Sequence, residues 1–161
     1  MIRPLVADDA AALAGLLIAN RTFLAPFVPE RAEDFFTADG QRARIEAAEH
    51  VYAILDGDVL AGVISLSNLV RGPFQSAQLG YWVDETRTGR GIATRALAEL
   101  VDHSFAALGL HRLEAATLVD NVPSQRVLEK SGFTRIGVAP RYLEIAGAWS
   151  DHVLFQRTAE D

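Results

Sequence analysis

The stretch Tyr81-Trp82-Val83-Asp84-Glu85-Thr86-Arg87-Thr88-Gly89-Arg90-Gly91-Ile92-Ala93-Thr94 reads as a strand, a glycine-bearing turn and the first turn of a long helix. Gly89 and Gly91 let the backbone approach a ligand with no Cβ in the way. The helix start behind them leaves N–H groups without intrahelical partners at the positive end of the helix dipole. Such a turn suits an anion, above all a phosphate or pyrophosphate. It points to a phosphorylated cofactor.

Two common nucleotide fingerprints do not fit. A P-loop needs Gly-x-x-x-x-Gly-Lys-Ser/Thr, and the only lysine is Lys130, far from such a glycine pair. A dinucleotide fold needs Gly-x-Gly-x-x-Gly after its first strand, whereas Gly89-Arg90-Gly91 is followed by Thr94 and lies mid-chain. Taken alone, the turn also fits an ordinary strand-to-helix connection.

The flanking sequence narrows the choice. From Ile92 to Leu108, Ile92, Ala93, Leu97, Leu100, Val101, Phe105 and Leu108 recur at helical steps, and Gly109 is placed to stop that helix. His111 to Val119 reads as a strand with Leu113, Ala115, Thr117 and Val119 on one face and Arg112, Glu114, Ala116 and Leu118 on the other. Asn121 is a natural N-cap for a second helix, and Pro123 is tolerated in its first turn. That helix ends at Lys130-Ser131-Gly132, and Phe133 opens another strand.

Gly89-Arg90-Gly91-Ile92-Ala93-Thr94, then His111-Arg112-Leu113-Glu114-Ala115, then Asn121-x-x-Ser124-x-x-x-Leu128-Glu129-Lys130-x-Gly132-Phe133 resemble the GNAT superfamily of acetyl-CoA-dependent N-acetyltransferases. Asn20-Arg21-x-x-Leu24-x-Pro26-Phe27-x-Pro29 and Tyr142-Leu143-x-Ile145-x-Gly147-x-Trp149-x-Asp151-His152 are similar to the RimJ/RimL-type branch, the ribosomal-protein N-terminal acetyltransferases. The resemblance covers Ile2 to Phe155. Thr88 stands where relatives carry Gln or Arg, with Arg87 adjacent, and Phe27 stands where relatives often carry Trp.

The resemblance implies an α/β fold: one GNAT-type domain over residues 1–161, with a mixed, mostly antiparallel central sheet, flanking helices and a cofactor cleft between the two central strands. It implies that acetyl-CoA is held by Trp82, Val83, Thr88, Gly89, Arg90, Gly91, Ile92, Ala93, Thr94, Asn121 and Ser124. A backbone N–H near Trp82-Val83 would polarise the thioester carbonyl, and the Ser124 hydroxyl would protonate the departing thiolate. Asn121 and Ser124 can equally serve only as helix caps. Glu144 is a candidate general base, one residue from the aligned position at Leu143; Glu114 and a water chain are the alternatives. Phe23, Leu24, Phe27, Phe35 and Phe36 are candidates for a lid over the acceptor.

Composition agrees with an enzyme of this kind. A chain of 161 residues can bury about 70% of its unfolded surface. No apolar run reaches the roughly 20 residues of a membrane span, and Met1-Ile2-Arg3-Pro4-Leu5 runs into a strand rather than a signal peptide, so a cytoplasmic protein is expected. The absence of cysteine excludes disulfides, zinc-thiolate sites and a cysteine acyl intermediate. Fifteen basic against 21 acidic residues, a net of −6, argue against nucleic acid and favour a cationic acceptor such as an amine. His50, His103, His111 and His152 show no metal-ligand spacing, and no metal is expected. Tyr81, Trp82, Tyr142 and Trp149 line the acceptor channel or pack in the core.

Toward the N-terminus, Asp8 is expected to cap a first helix, Asn20 to Phe36 to be a loop-rich stretch with Pro26 and Pro29, and a short helix to follow near Asp39 to Ala48. Val51–Leu55 and Val59–Leu66 are expected to pair around Asp56-Gly57-Asp58, Gln78 to Val83 to make the next strand, and the last strands to turn at Ala146-Gly147. An apolar strand at Val153-Leu154-Phe155 suits either a core position or a homodimer interface. The leading functional reading is acetyl transfer to a primary amine, a protein or peptide N-terminus first and a small-molecule amine second. A non-catalytic acyl-CoA binder and an unrelated nucleotide-binding module are the other readings.

Overall fold

The structure, a computed structural model, describes residues 1–161. Seven strands form one sheet: β1 (Ile2–Pro4), β2 (Val51–Asp56), β3 (Val59–Val70), β4 (Ser76–Val83), β5 (Arg112–Leu118), β6 (Thr134–Ile145) and β7 (Ala148–Thr158). The helices are α1 (Ala10–Ala19), α2 (Arg21–Leu24), α3 (Ala38–Ala47), α4 (Ile92–Ala106) and α5 (Val122–Lys130). Spatial order in the sheet is β1-β2-β3-β4-β5-β7-β6, antiparallel throughout except between β4 and β5. The expected mixed, mostly antiparallel sheet flanked by helices is what the chain forms.

Alternation along each strand sends side chains to two different layers. Ile54, Ile64, Leu79, Leu113 and Phe155 face α4 and α5, where they pack with Leu97, Leu100 and Leu128 in the larger core. Ala53, with Val63 and Trp82 beside it, faces the opposite layer, where Leu13, Leu17, Leu24 and Ile45 close a smaller core. In β5, Leu113, Ala115 and Thr117 are buried, whereas Arg112, Glu114, Ala116 and Leu118 on the other face are half-buried. Gly62 permits the close approach of β3 to β4: a Cβ there would lie 2.1 Å from the Trp82 carbonyl oxygen.

Several local expectations need correction. Asn20 to Phe36 is not mainly loop; it coils into α2 and the 3-10 turns Ala25–Phe27 and Glu33–Phe36, because Leu24 and the two phenylalanines are drawn onto the smaller core. At the first helix the working carboxylate is Asp9 rather than Asp8: it accepts the Val6 N–H at 2.9 Å and pairs with Arg3 at 2.7 Å. Thr37 caps α3 by accepting the Gly40 N–H at 3.0 Å. Helix α4 stops at Ala106, and Gly109 (φ 63°) turns the chain out of it.

Pairing between β4 and β5 positions the site. Their register runs only from Ser76↔Arg112 to Gln78↔Glu114. Beyond it β4 continues to Val83 and β5 to Leu118 with no partner between them, so the two central strands diverge. The glycine turn lies at the end of β4, and α5 begins just past the end of β5.

Candidate active site

Backbone geometry makes the glycine turn a donor surface. Gly89 and Gly91 sit at φ 74° and 72°, in the left-handed region that favours glycine. The first helical bond of α4 is Arg95 N–H to Gly91 O at 3.1 Å, and the N–H groups of residues 89–94 donate to no atom of the chain. The Ile92 side chain is buried in the larger core and anchors the start of α4 beneath the turn. The turn is braced from behind. Asp56 accepts from Arg87 at 2.5 Å and Arg90 at 3.0 Å, and the Thr88 hydroxyl donates to the Glu85 carbonyl at 2.8 Å. The Arg95 guanidinium donates to the Arg90 carbonyl at 3.1 Å.

In the cleft itself, strand alternation separates Trp82 from Val83. Asp84 N–H donates to Ala61 O on β3 at 2.7 Å, so the N–H of Trp82 belongs to the same ladder and those of Tyr81 and Val83 aim toward β5. The strand N–H groups that face the cleft are therefore those of Val83 and Tyr81, while Trp82 offers its side chain to the opposite sheet face. Across the cleft, Asn121 caps α5 by accepting the Ser124 N–H at 3.3 Å. Gln125 ties α5 to the end of β5, donating to the carbonyls of Leu118 at 3.2 Å and Val119 at 2.9 Å. The Ser124 hydroxyl lies 2.9 Å from the Tyr81 hydroxyl, whose pKa burial pushes up to about 12 despite the opposing effect of its hydrogen bond with Ser124.

On the Trp82 face lies a pocket of 490 Å³ floored by Leu17, Leu24, Phe35, Phe36 and Trp82, with Arg21, Glu30 and Arg31 at its rim. Arg21 is held by Glu33 at 2.6 Å and stacks 4.0 Å above the Phe36 ring. Of the expected lid residues, Leu24, Phe35 and Phe36 line this pocket; Phe23 and Phe27 do not, and pair edge-on with each other at 6.4 Å. A smaller pocket of 240 Å³ follows on the same face, where Gln78, Glu114, Tyr142 and Leu143 meet. Its Glu114 is paired with Arg112 at 2.7 Å.

Glu144 lines neither pocket. It is exposed on β6 opposite Trp149 in register, while its neighbours Leu143 and Ile145 turn to the pocket side and the interior. Tyr142 and Leu143, on the irregular stretch of β6, both line the smaller pocket, and Glu144 follows them without reaching it. The histidines are dispersed: His103 packs edge-on against Tyr52, and His152 is buried with Nδ1 donating to the Ser150 carbonyl at 2.8 Å. Trp149 is exposed at the β6–β7 turn and lines neither pocket.

Asn20 is the residue whose part the sequence left unread. It is only 1% exposed. Its Nδ2 donates to the Leu16 carbonyl at 2.9 Å and to Asp84 at 3.0 Å, while its Oδ1 accepts the Glu85 N–H at 2.8 Å. Burial alone would raise the Asp84 carboxyl, but hydrogen bonds from Thr86 and Asn20 and the nearby Arg87 charge hold it below the ordinary carboxylate range. An Asn closing the apolar run Ala10–Ala19 was the available signal.

A mixed sheet that opens between its one parallel pair, with a bare run of N–H donors beside the gap, is an acyl-transferase architecture. The chain matches the acetyltransferase (GNAT) domain over residues 1–134 and belongs to that family. It is 40% identical, over 94% of this chain and 89% of the relative, to a probable N-acetyltransferase of Bacillus subtilis, YjcK. Among solved structures, the ribosomal-protein-S5-alanine acetyltransferase of Vibrio fischeri is 34% identical with a TM-score of 0.93, covering 99% of this chain and 93% of that one. The RimJ protein of Mycobacterium smegmatis, solved with CoA-disulfide, is 36% identical with a TM-score of 0.93, covering 99% of this chain and 81% of that one.

Proposed function

We propose that this chain moves the acetyl group of acetyl-CoA directly to an amine, with a protein N-terminus as acceptor, in the cytoplasm. The observation that carries the reading is the two-sided cleft. Unpartnered N–H groups of residues 89–94 lie on the cofactor side, and the apolar pocket around Trp82 lies on the acceptor side. The residues present fit a pyrophosphate, since a glycine Cα presents its neighbouring N–H groups without obstruction and the start of α4 adds its dipole. The RimJ–CoA complex and the S5-alanine acetyltransferase, both above 30% identity over nearly the whole chain, support the same assignment.

In this reading Gly89, Arg90, Gly91, Ile92, Ala93 and Thr94 bind the pyrophosphate through their N–H groups, with Thr88 and Arg87 shaping the turn. The Val83 N–H polarises the acetyl carbonyl, a contribution that needs fixed donors and no reorganisation. Ser124 supplies the hydroxyl that meets the leaving sulfur, and Asn121 holds the helix start that carries it. The acceptor amine loses its proton to water reaching the cleft through the open pockets, a route favoured over the candidate base Glu144 because Glu144 lines neither pocket.

A calorimetric titration with acetyl-CoA, paired with thiol release on peptides of varied N-terminus and on polyamines, tests the reading. Micromolar affinity, about −8 kcal/mol, is expected for the wild type and its loss for Gly91→Asp, whose carboxylate would occupy the donor groups itself. Acetylation of peptides over polyamines supports a protein acceptor. Binding without transfer to any amine would make the chain an acyl-CoA binder instead, and stabilisation by ATP in place of CoA would remove the acetyltransferase reading altogether.

A further inference from the structure

Tyr81 lies on β4 after that strand has parted from β5, and its ring packs against the larger core. Its hydroxyl crosses the cleft to α5, 2.9 Å from Ser124 Oγ and 3.3 Å from the Ser124 carbonyl, and touches no other hydrogen-bonding group. A serine hydroxyl has one hydrogen and two acceptor sites, so the hydrogen bond it receives decides where its own hydrogen points. Ser124 is otherwise fixed through its backbone, by Asn121 at 3.3 Å and by the helix it begins. No group other than Tyr81 hydrogen-bonds its hydroxyl.

We propose that Tyr81 is a positioning residue for acetyl transfer: it donates to Ser124 Oγ and thereby commits the serine hydrogen to the departing thiolate. The inference rests on the acetyl-transfer reading given above. Its atoms balance without a charged serine. The acceptor nitrogen bonds to the carbonyl carbon, and the carbon–sulfur bond breaks with its electron pair on sulfur. Ser124 gives its hydrogen to sulfur and is reprotonated by the cleft water that has taken the proton shed by the nitrogen. Tyr81 keeps its proton throughout. Burial pushes its hydroxyl up to about 12, well above the roughly 8.5 of an ordinary thiol. It is therefore a poor acid toward a thiolate and a durable neutral donor to Ser124.

The test is a double-mutant cycle on acetyl transfer to a peptide, with Tyr81→Phe, Ser124→Ala and both together. Tyr81→Phe keeps the ring that fills the core, so the variant folds. It is expected to lower kcat about tenfold, with the KM for acetyl-CoA within about twofold of wild type. The double variant is expected to match Ser124→Ala within about twofold, because a residue acting through Ser124 has nothing left to act on. The inference is overturned if Tyr81→Phe or Ser124→Ala turns over like wild type, or if the two losses multiply. A wild type that releases no thiol with any amine removes the transfer reading and this inference with it. A normally active wild type with an unaffected Tyr81→Phe removes the inference alone.

Discussion

Asn20 joins the proposed acceptor side of the site to the proposed cofactor side through one side chain. Its amide spans the end of α1 and the segment that leads into the glycine turn, giving to Leu16 and Asp84 and receiving from Glu85. Asn20→Ala leaves the Glu85 N–H and one lobe of Asp84 without a partner, at a cost of about 1–3 kcal/mol. The expected outcome is a lower melting temperature together with weaker acetyl-CoA binding, because the turn loses its brace; a melt and a titration on the same sample check both. The Asp84 carboxyl adds a pH dependence whose sign is fixed. Its folded value is lowered, so its contribution is fully present above the ordinary value of 3.8 and is lost as pH falls through the lower folded value. Melting temperature followed downward from pH 5 should fall less steeply for Asp84→Asn than for wild type. Neither contact was legible in the sequence. Asn20 and Asp84 are 64 positions apart, as Tyr81 and Ser124 are 43 apart, and only the fold of the sheet brings each pair together.

At the scale of elements, the readable parts are those whose causes are local. The period of two in β5, the Asn121 cap of α5 and the glycine at the start of α4 each follow from residues within a turn of one another. The segment from Asn20 to Phe36 was harder, since its short turns are held by burial of Leu24, Phe35 and Phe36 rather than by propensity. Glu144 depends on the irregular register of β6, which shifts between Ala139 and Leu143 and sets which face each later residue takes. Helix α5 supplies the prediction of this scale. Asn121→Ala removes its side-chain cap, worth about 1 kcal/mol, and so lowers the melting temperature by about 2–4 °C for a chain of this size. Asn121→Ser, which still caps, should recover most of that loss. If Ala and Ser melt alike, the cap does not hold the helix start, and the position of Ser124 must be set by Gln125 and Tyr81 alone.

Across the whole molecule, a protein of net charge −6 takes up a polyanionic co-substrate only if short-range donors outweigh the general field. The donors are there: backbone N–H groups of residues 89–94, fixed by Asp56 through Arg87 and Arg90 before any ligand arrives. Because those groups are organised in the folded chain and dispersed in the unfolded one, acetyl-CoA binds the native state alone, and binding appears as stability. At a concentration one hundred times its dissociation constant it should add about 2.7 kcal/mol, which raises the melting temperature by about 5–11 °C for a chain of this length. Gly91→Asp, strained at φ 72°, should melt a few degrees below wild type without ligand, at a cost of about 1 kcal/mol, yet still cooperatively, and show almost no rise with ligand, separating loss of the site from loss of the fold. An equal rise in the variant would mean that the donors at the start of α4 are not where the pyrophosphate sits, and the cleft between β4 and β5 would have to hold the co-substrate by its pantetheine arm alone.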